Sequence, residues 1–204
     1  MSKASKYYYC KVVYEILRDN KKSFVKIRKK LHSLPMEDMR DIIRSCEMFK
    51  LTLRTKSINN SVSCVLASSA IEAIANHKYG GKKKINNFIK FLLKYGNKNL
   101  LDKFPGRTYT NWINSKTNKY ESSEIQVTTK FILEKYYGEV RSNFLHKGVS
   151  PIIHFDKGRD CGTRISIPFK RKGRQKGDKI SINFSHENYL ELVHSAIKNY
   201  FYKI

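Results

Sequence analysis

Acidic side chains are scarce in this chain. Asp and Glu total 17 against 41 Lys and Arg, which leaves a formal charge of +24 on 204 residues. Such an imbalance bears on partners and solubility rather than on fold. It argues against a cationic partner and makes a nucleic acid the first expected counterpart, with an anionic membrane surface second. Long apolar runs are lacking too. No stretch approaches the roughly 20 residues that a bilayer-spanning helix needs. Met1 to Cys10 carries no apolar signal core, so the expectation is a cytoplasmic protein with no membrane partner. Cysteine is sparse: Cys10, Cys46, Cys64 and Cys161 occur singly, none paired at metal-ligand spacing, and a chain this long requires no disulfide staples. Three of the four fall in apolar helical patterns, where a small buried thiol is expected. His77, His154 and His186 stand at no ligand spacing from Cys, Asp or Glu, so surface or capping roles are expected for them. Phosphate-cradling glycine loops are missing as well. Gly80-Gly81 lacks the Lys-Ser/Thr pair of such a loop and reads as a helix stop. Neither a metal nor a cofactor is expected.

Helical periodicity is abundant. Apolar residues recur three and four apart up to about residue 148, which predicts helices over 4–18, 21–32 and 36–53. Pro35 closes the second, and Glu37 and Asp38 suit the positive end of the third. Residues 61–76, with Val62, Val65, Leu66, Ile71 and Ile74, form the most apolar segment and predict the central core helix. Residues 83–95 predict a basic amphipathic helix with Ile85, Phe88, Ile89, Leu92 and Leu93 on its apolar side. Residues 97–119 are looser, with a turn at Pro105-Gly106 and Trp112 as a plug. Ser122 and Ser123 can cap a long helix whose stripe is Ile125, Phe131, Ile132, Tyr136, Val140 and Phe144. Beyond it the period changes to two in residues 164–167 and 179–184, which predicts two strands. A last helix is expected over 186–202, capped by Ser185, with Tyr189, Leu190, Val193, Ile197, Tyr200 and Phe201 inward. The fold class expected is mostly α, a helical bundle with an appended basic β-hairpin and a C-terminal helix. Its divisions are a lead-in over 1–58, a helical core over 59–150 and the hairpin with its helix over 151–204.

The stretch richest in chemistry is Tyr136-Tyr137-Gly138-Glu139-Val140-Arg141-Ser142-Asn143-Phe144-Leu145-His146-Lys147-Gly148. A guanidinium keeps its charge and grips phosphate with a planar fork. An imidazole trades a proton near neutral pH. Five positions turn an α-helix by about 140°, so Arg141 and His146 do not stack in register unless the last turn relaxes, which Gly148 permits. At a helix C-terminus the dipole favours the imidazolium, the form a general acid needs. On spacing alone two readings stay open: this phosphate-and-proton pair, or a surface arginine beside a histidine that bonds the last free carbonyls.

Here the sequence resembles a family. Val140 to Gly148 resembles the signature of the HEPN superfamily, especially its Apea-like branch, in which the last core helix carries an arginine, often a serine or other polar residue after it, then a histidine and often a glycine. Ala67-Ser68-Ser69-Ala70-Ile71-Glu72-Ala73-Ile74 resembles that branch's apolar helix with an embedded glutamate, and Lys83 to Lys94 resembles the basic helix that follows. The likeness covers roughly residues 60–150. It implies a small helical bundle that forms a homodimer, with the Arg141–His146 pairs of two copies in one cleft. It implies metal-independent endoribonuclease activity, often in toxin–antitoxin or phage-defence systems with an antitoxin or other partner. Other members of the family are non-catalytic RNA binders or scaffolds. On this reading His146 is general acid or base and Arg141 holds the non-bridging oxygens. Ser142 or Asn143 adds hydrogen bonds, and Glu72 orients Arg141 or His146. The other reading of Glu72 is a lone acid on a buried face, paired with a nearby base.

The segment between the two predicted strands holds Lys170, Arg171, Lys172, Arg174 and Lys176, with Lys179 just beyond and Asp178 as its acid. Phosphate contact by this tip is expected, sequence-independent and weakened by salt; a merely solvated loop is the alternative. Lysines 82–84, 90 and 94 extend the same positive character. Tyr7-Tyr8-Tyr9 and Tyr136-Tyr137 are expected in the core or an interface, with base stacking as the lesser alternative.

Overall fold

The computed structural model describes residues 11–16, 21–58, 60–103, 108–113, 116–124, 128–142, 153–155, 163–168, 179–184 and 186–203, and over these the chain is mostly helical. It divides into two compact units, Met1–Asn97 with Leu190–Ile204, and Lys98–Tyr189. This division runs across the boundaries expected at 58 and 150.

The first unit is a set of helices: α1 (residues 11–16), α2 (Lys21–Ser33), α3 (Met36–Thr55), α4 (Asn60–Tyr79), α5 (Lys84–Tyr95) and, from Leu190 onward, the last helix α8 (His186–Lys203). Helix α3 buries Met39, Ile42, Ile43, Cys46, Phe49 and Thr52, steps of three and four that keep one face inward. Glu37 and Asp38 occupy its first turn, as the macrodipole favours. Helix α4 is apolar on several sides. Val65, Ala67, Ala70, Ile71, Ile74 and Ala75 are all buried, and its small residues admit close neighbours. Ser45 of α3 donates its hydroxyl to the Ala70 carbonyl at 2.5 Å, a buried bond across the α3–α4 pair. Burial also pushes the Cys46 thiol's pKa up, so it stays protonated and inert.

Helix α5 departs from its expected inner face. Ile85 and Leu93 are exposed, whereas Asn87, Phe88, Ile89, Phe91, Leu92 and Tyr95 are buried. The reason is Asn87. Its side-chain amide donates to the Asn76 carboxamide oxygen at 3.2 Å and to the Gly80 carbonyl at 2.5 Å, so a polar residue is satisfied on the inside. Gly80 ends α4 with φ +79°, the left-handed cap that a Cβ disfavours. Helix α8 completes the core with Leu190, Leu192, Val193, Ala196, Ile197, Tyr200 and Phe201, including every apolar position expected of it in this unit. Asn199 donates to the Tyr95 carbonyl at 2.8 Å, and the Ser195 hydroxyl accepts from the Asn97 amide at 3.0 Å. The His194 imidazole stacks on Phe49 at 5.6 Å and hydrogen-bonds the Ile16 carbonyl at 2.8 Å.

The second unit holds α6 (Lys98–Lys103), β1 (Thr108–Ile113), β2 (Tyr120–Glu124), α7 (Thr129–Tyr136) with a π-helical extension (Tyr137–Ser142), β3 (Ile153–Phe155), β4 (Thr163–Pro168), β5 (Lys179–Phe184) and the start of α8. The strands form one antiparallel sheet in the order β2-β1-β5-β4-β3. Two expectations fail here. Residues 108–113 are not loose but a strand, as their β-branched and aromatic content favours. Ser122 and Ser123 do not cap a helix, because they lie in β2 opposite Asn111 and Thr110. The turn between β1 and β2 places Asn118 at φ 50°, a left-handed position that asparagine tolerates. Helix α7 starts later, at Thr128, whose hydroxyl oxygen accepts from the Phe131 amide at 3.2 Å.

Candidate functional site

Helix α7 carries the candidate arginine. Ile132, Leu133 and Tyr136 fix its inner face, and Tyr136 packs on Tyr189 at 4.3 Å between ring centroids. After Tyr136 the winding loosens into a π-helical turn over Tyr137–Ser142. Bonding from i to i+5 brings residues five apart toward the same side, where an α-helix would set them about 140° apart. The loosened turn ends at Arg141 and Ser142, the first two residues of the Arg-x4-His segment. Arg141 and Ser142 are half-buried. The guanidinium carbon of Arg141 stands 5.4 Å from the centroid of the Tyr137 ring, an arrangement that orients a cation. Tyr136 and Tyr137 are 2% and 6% exposed, so they take the core role and offer no open face to a base. Gly138 sits inside the turn with open space where a Cβ would stand.

Asn143, His146 and Gly148 lie outside the described residues, as do Lys170, Arg171, Lys172, Arg174 and Lys176 and the tyrosines at 7–9. Lys179 is the first residue of β5, opposite Asn111 on one side and Pro168 on the other. Glu72 belongs to α4 of the first unit and is 6% exposed among buried neighbours. Arg141 belongs to the second unit.

One arrangement carried no sequence signal. His77 pairs with Asp38 at 3.3 Å, from helices distant in sequence, so no local spacing announced it. Lysines 82, 83, 84, 90 and 94 are all exposed, and the Lys90 ammonium lies 4.4 Å from the centroid of the Tyr79 ring. Among the described residues no group of three or more His, Cys, Asp or Glu is placed to hold a metal ion, and no helix is long and apolar enough to cross a membrane. No protein-family model, curated protein or solved structure matches the chain.

Proposed function

We propose that the protein is a metal-independent endoribonuclease with a HEPN-like helical bundle, a basic β-hairpin and a C-terminal helix. The observation that supports this most is the loosened π-helical turn that carries Arg141 above Tyr137, in the segment that leads to His146. In the proposed reaction the 2′-hydroxyl attacks the adjacent phosphorus and the bond from phosphorus to the 5′ oxygen breaks. DNA lacks that nucleophile. His146 of one copy takes the 2′ proton, and His146 of the second copy in a homodimer protonates the leaving 5′ oxygen. The products are a 2′,3′-cyclic phosphate and a 5′-hydroxyl. Arg141 holds the non-bridging oxygens with its fork as charge builds. Ser142 and Asn143 supply further hydrogen bonds, and Glu72 orients the pair. Lys170, Arg171, Lys172, Arg174, Lys176 and Lys179 hold the RNA backbone. A toxin or defence role in the cytoplasm, with an antitoxin or defence-system partner, follows from the same resemblance.

Purified protein incubated with total RNA in excess EDTA tests this. The wild type should release discrete fragments with cyclic-phosphate ends, and His146→Ala should lower the rate by about 10²–10⁴ while RNA binding persists. Arg141→Lys keeps the charge but not the fork and should also fail to cleave. Intact RNA shifted equally on a gel by both proteins would instead establish the second reading, a non-catalytic nucleic-acid-binding or scaffold protein. The exposed lysines of α5 favour that reading.

A further inference from the structure

The lysines of α5 lie on its exposed surface, beside the buried side. Lys83 precedes the helix, Lys90 follows seven positions on and Lys94 four more, so the three lie within about 40° of one another around the axis and span about 16 Å along it. Lys82 and Lys84 flank the near end. All five are exposed. No Asp or Glu occurs between Glu72 and Asp102, and among the described residues no carboxylate pairs with these lysines. The exposed side of α3 is different, since Glu37, Arg40, Arg44 and Glu47 mix the two signs there as on an ordinary solvated face. The first turn of α5 contains no acid, so the lysines around its N-terminus oppose the helix dipole as well as each other. Folding alone does not favour that arrangement; a bound polyanion relieves it.

Two of the lysines are also held. Lys90 lies over the Tyr79 ring, and the Lys94 ammonium stands 5.4 Å from the centroid of Tyr95, whose ring is buried. Resting an ammonium on a ring lowers the entropy lost when it meets a phosphate. Asn87 ties the base of α5 to the α4 turn through Asn76 and Gly80, which fixes the helix carrying the row.

We infer that Lys83, Lys90 and Lys94 form a backbone-binding row for nucleic acid, a phosphate contact surface in the first unit that shares no residue with the Arg141 segment or with residues 170–179. It reads charge and spacing, not bases, so RNA and DNA strands of equal length bind it alike. Binding by this row does not require the proposed cleavage chemistry.

Fluorescence anisotropy with labelled single strands, as a function of salt, tests the row. The variant Lys83→Gln/Lys90→Gln/Lys94→Gln should bind about tenfold more weakly or worse, with a salt dependence shallower by about 2 in log–log slope, three contacts at about 0.7 each. The charge-matched variant Arg28→Gln/Lys29→Gln/Lys30→Gln, on exposed positions of α2, should keep nearly all of its affinity. Unchanged melting of both by circular dichroism separates lost contacts from lost fold. Equal weakening of the two variants, or none in the α5 variant, overturns the row. So does loss of binding to phosphatidylserine vesicles with nucleic-acid affinity intact, which would make this face a membrane surface. RNA left intact by the wild type would sink the nuclease reading and leave the row standing.

Discussion

Each of the two units is held together internally by its own kind of contact. In the first, each helix makes its backbone hydrogen bonds within itself, and neighbours in sequence then dock, as Ser45 and Ala70 do across α3 and α4. In the second, a strand makes its backbone bonds only with a neighbour, as β1 does with β2 and with β5, where Thr108 stands opposite Ile182. Helical elements can therefore form before they meet, whereas strands of this sheet form by meeting. The first unit should owe its stability to packing of large side chains, and the second to strand pairing together with local devices at turns and caps.

Phe49→Ala should strike the first unit hardest. The ring is fully buried and stacked on His194, so truncation should cost about 3–5 kcal/mol. Thermal or urea unfolding monitored by circular dichroism reads this, and a cost below about 1 kcal/mol would break the packing side of the comparison. Next comes a pair of identical changes with opposite signs. Gly80→Ala forces a Cβ into a left-handed turn at φ +79° and should cost about 1–2 kcal/mol, although no atom stands in the way. Gly138→Ala, in a helical turn with open space, should stabilise by about 0.4–1 kcal/mol. Equal signs in a melting experiment would contradict the backbone explanation.

Thr128→Ala removes the cap of α7 and should cost about 1 kcal/mol. Hydrogen exchange should show the Phe131 amide losing protection first while α3 and α4 are unmoved. The smallest effect belongs to Glu15. The hydrogen bond from Lys50 holds its carboxylate below the usual range, against some desolvation. A lowered folded-state pKa stabilises above the ordinary carboxylate value and is lost as pH falls below about 4. Lys50→Met should therefore differ slightly from the wild type near neutral pH and converge with it in acid and in high salt, where exposed pairs fade. A gap that widens in acid would reverse the sign.

How much the sequence revealed follows the same divide. Helices expected over 36–53, 83–95 and 186–202 are found at Met36–Thr55, Lys84–Tyr95 and His186–Lys203, because a stripe of apolar residues is a local record of a local structure. The inner face of α5 was misread at Ile85 and Leu93 because the partners of Asn87 lie on α4 and its turn, and a lone asparagine does not announce them. The strand over 108–113 and the role of Ser122 and Ser123 were hidden for a similar reason: their meaning depends on partner strands, in one case about 74 positions away. At the candidate site the arginine's place on a helix was legible and its π-helical winding was not, since one loosened turn is too short to alter a periodic pattern.

The chain leaves the first unit after Asn97 and returns at Leu190, and within that unit Ser195 and Asn199 bond to the neighbourhood of the departure point. Synthesis runs in one direction. Helices α1 to α5 emerge from the ribosome before α8, which packs against them, and at 5–20 residues per second the intervening 98–189 segment takes roughly 5–20 s to make. During that interval Phe91 and Tyr95 lack the Tyr200 ring that later packs against them. The unit that begins first is thus completed last, and the nascent chain is most exposed to chaperones and proteases while its C-terminal helix is still being written.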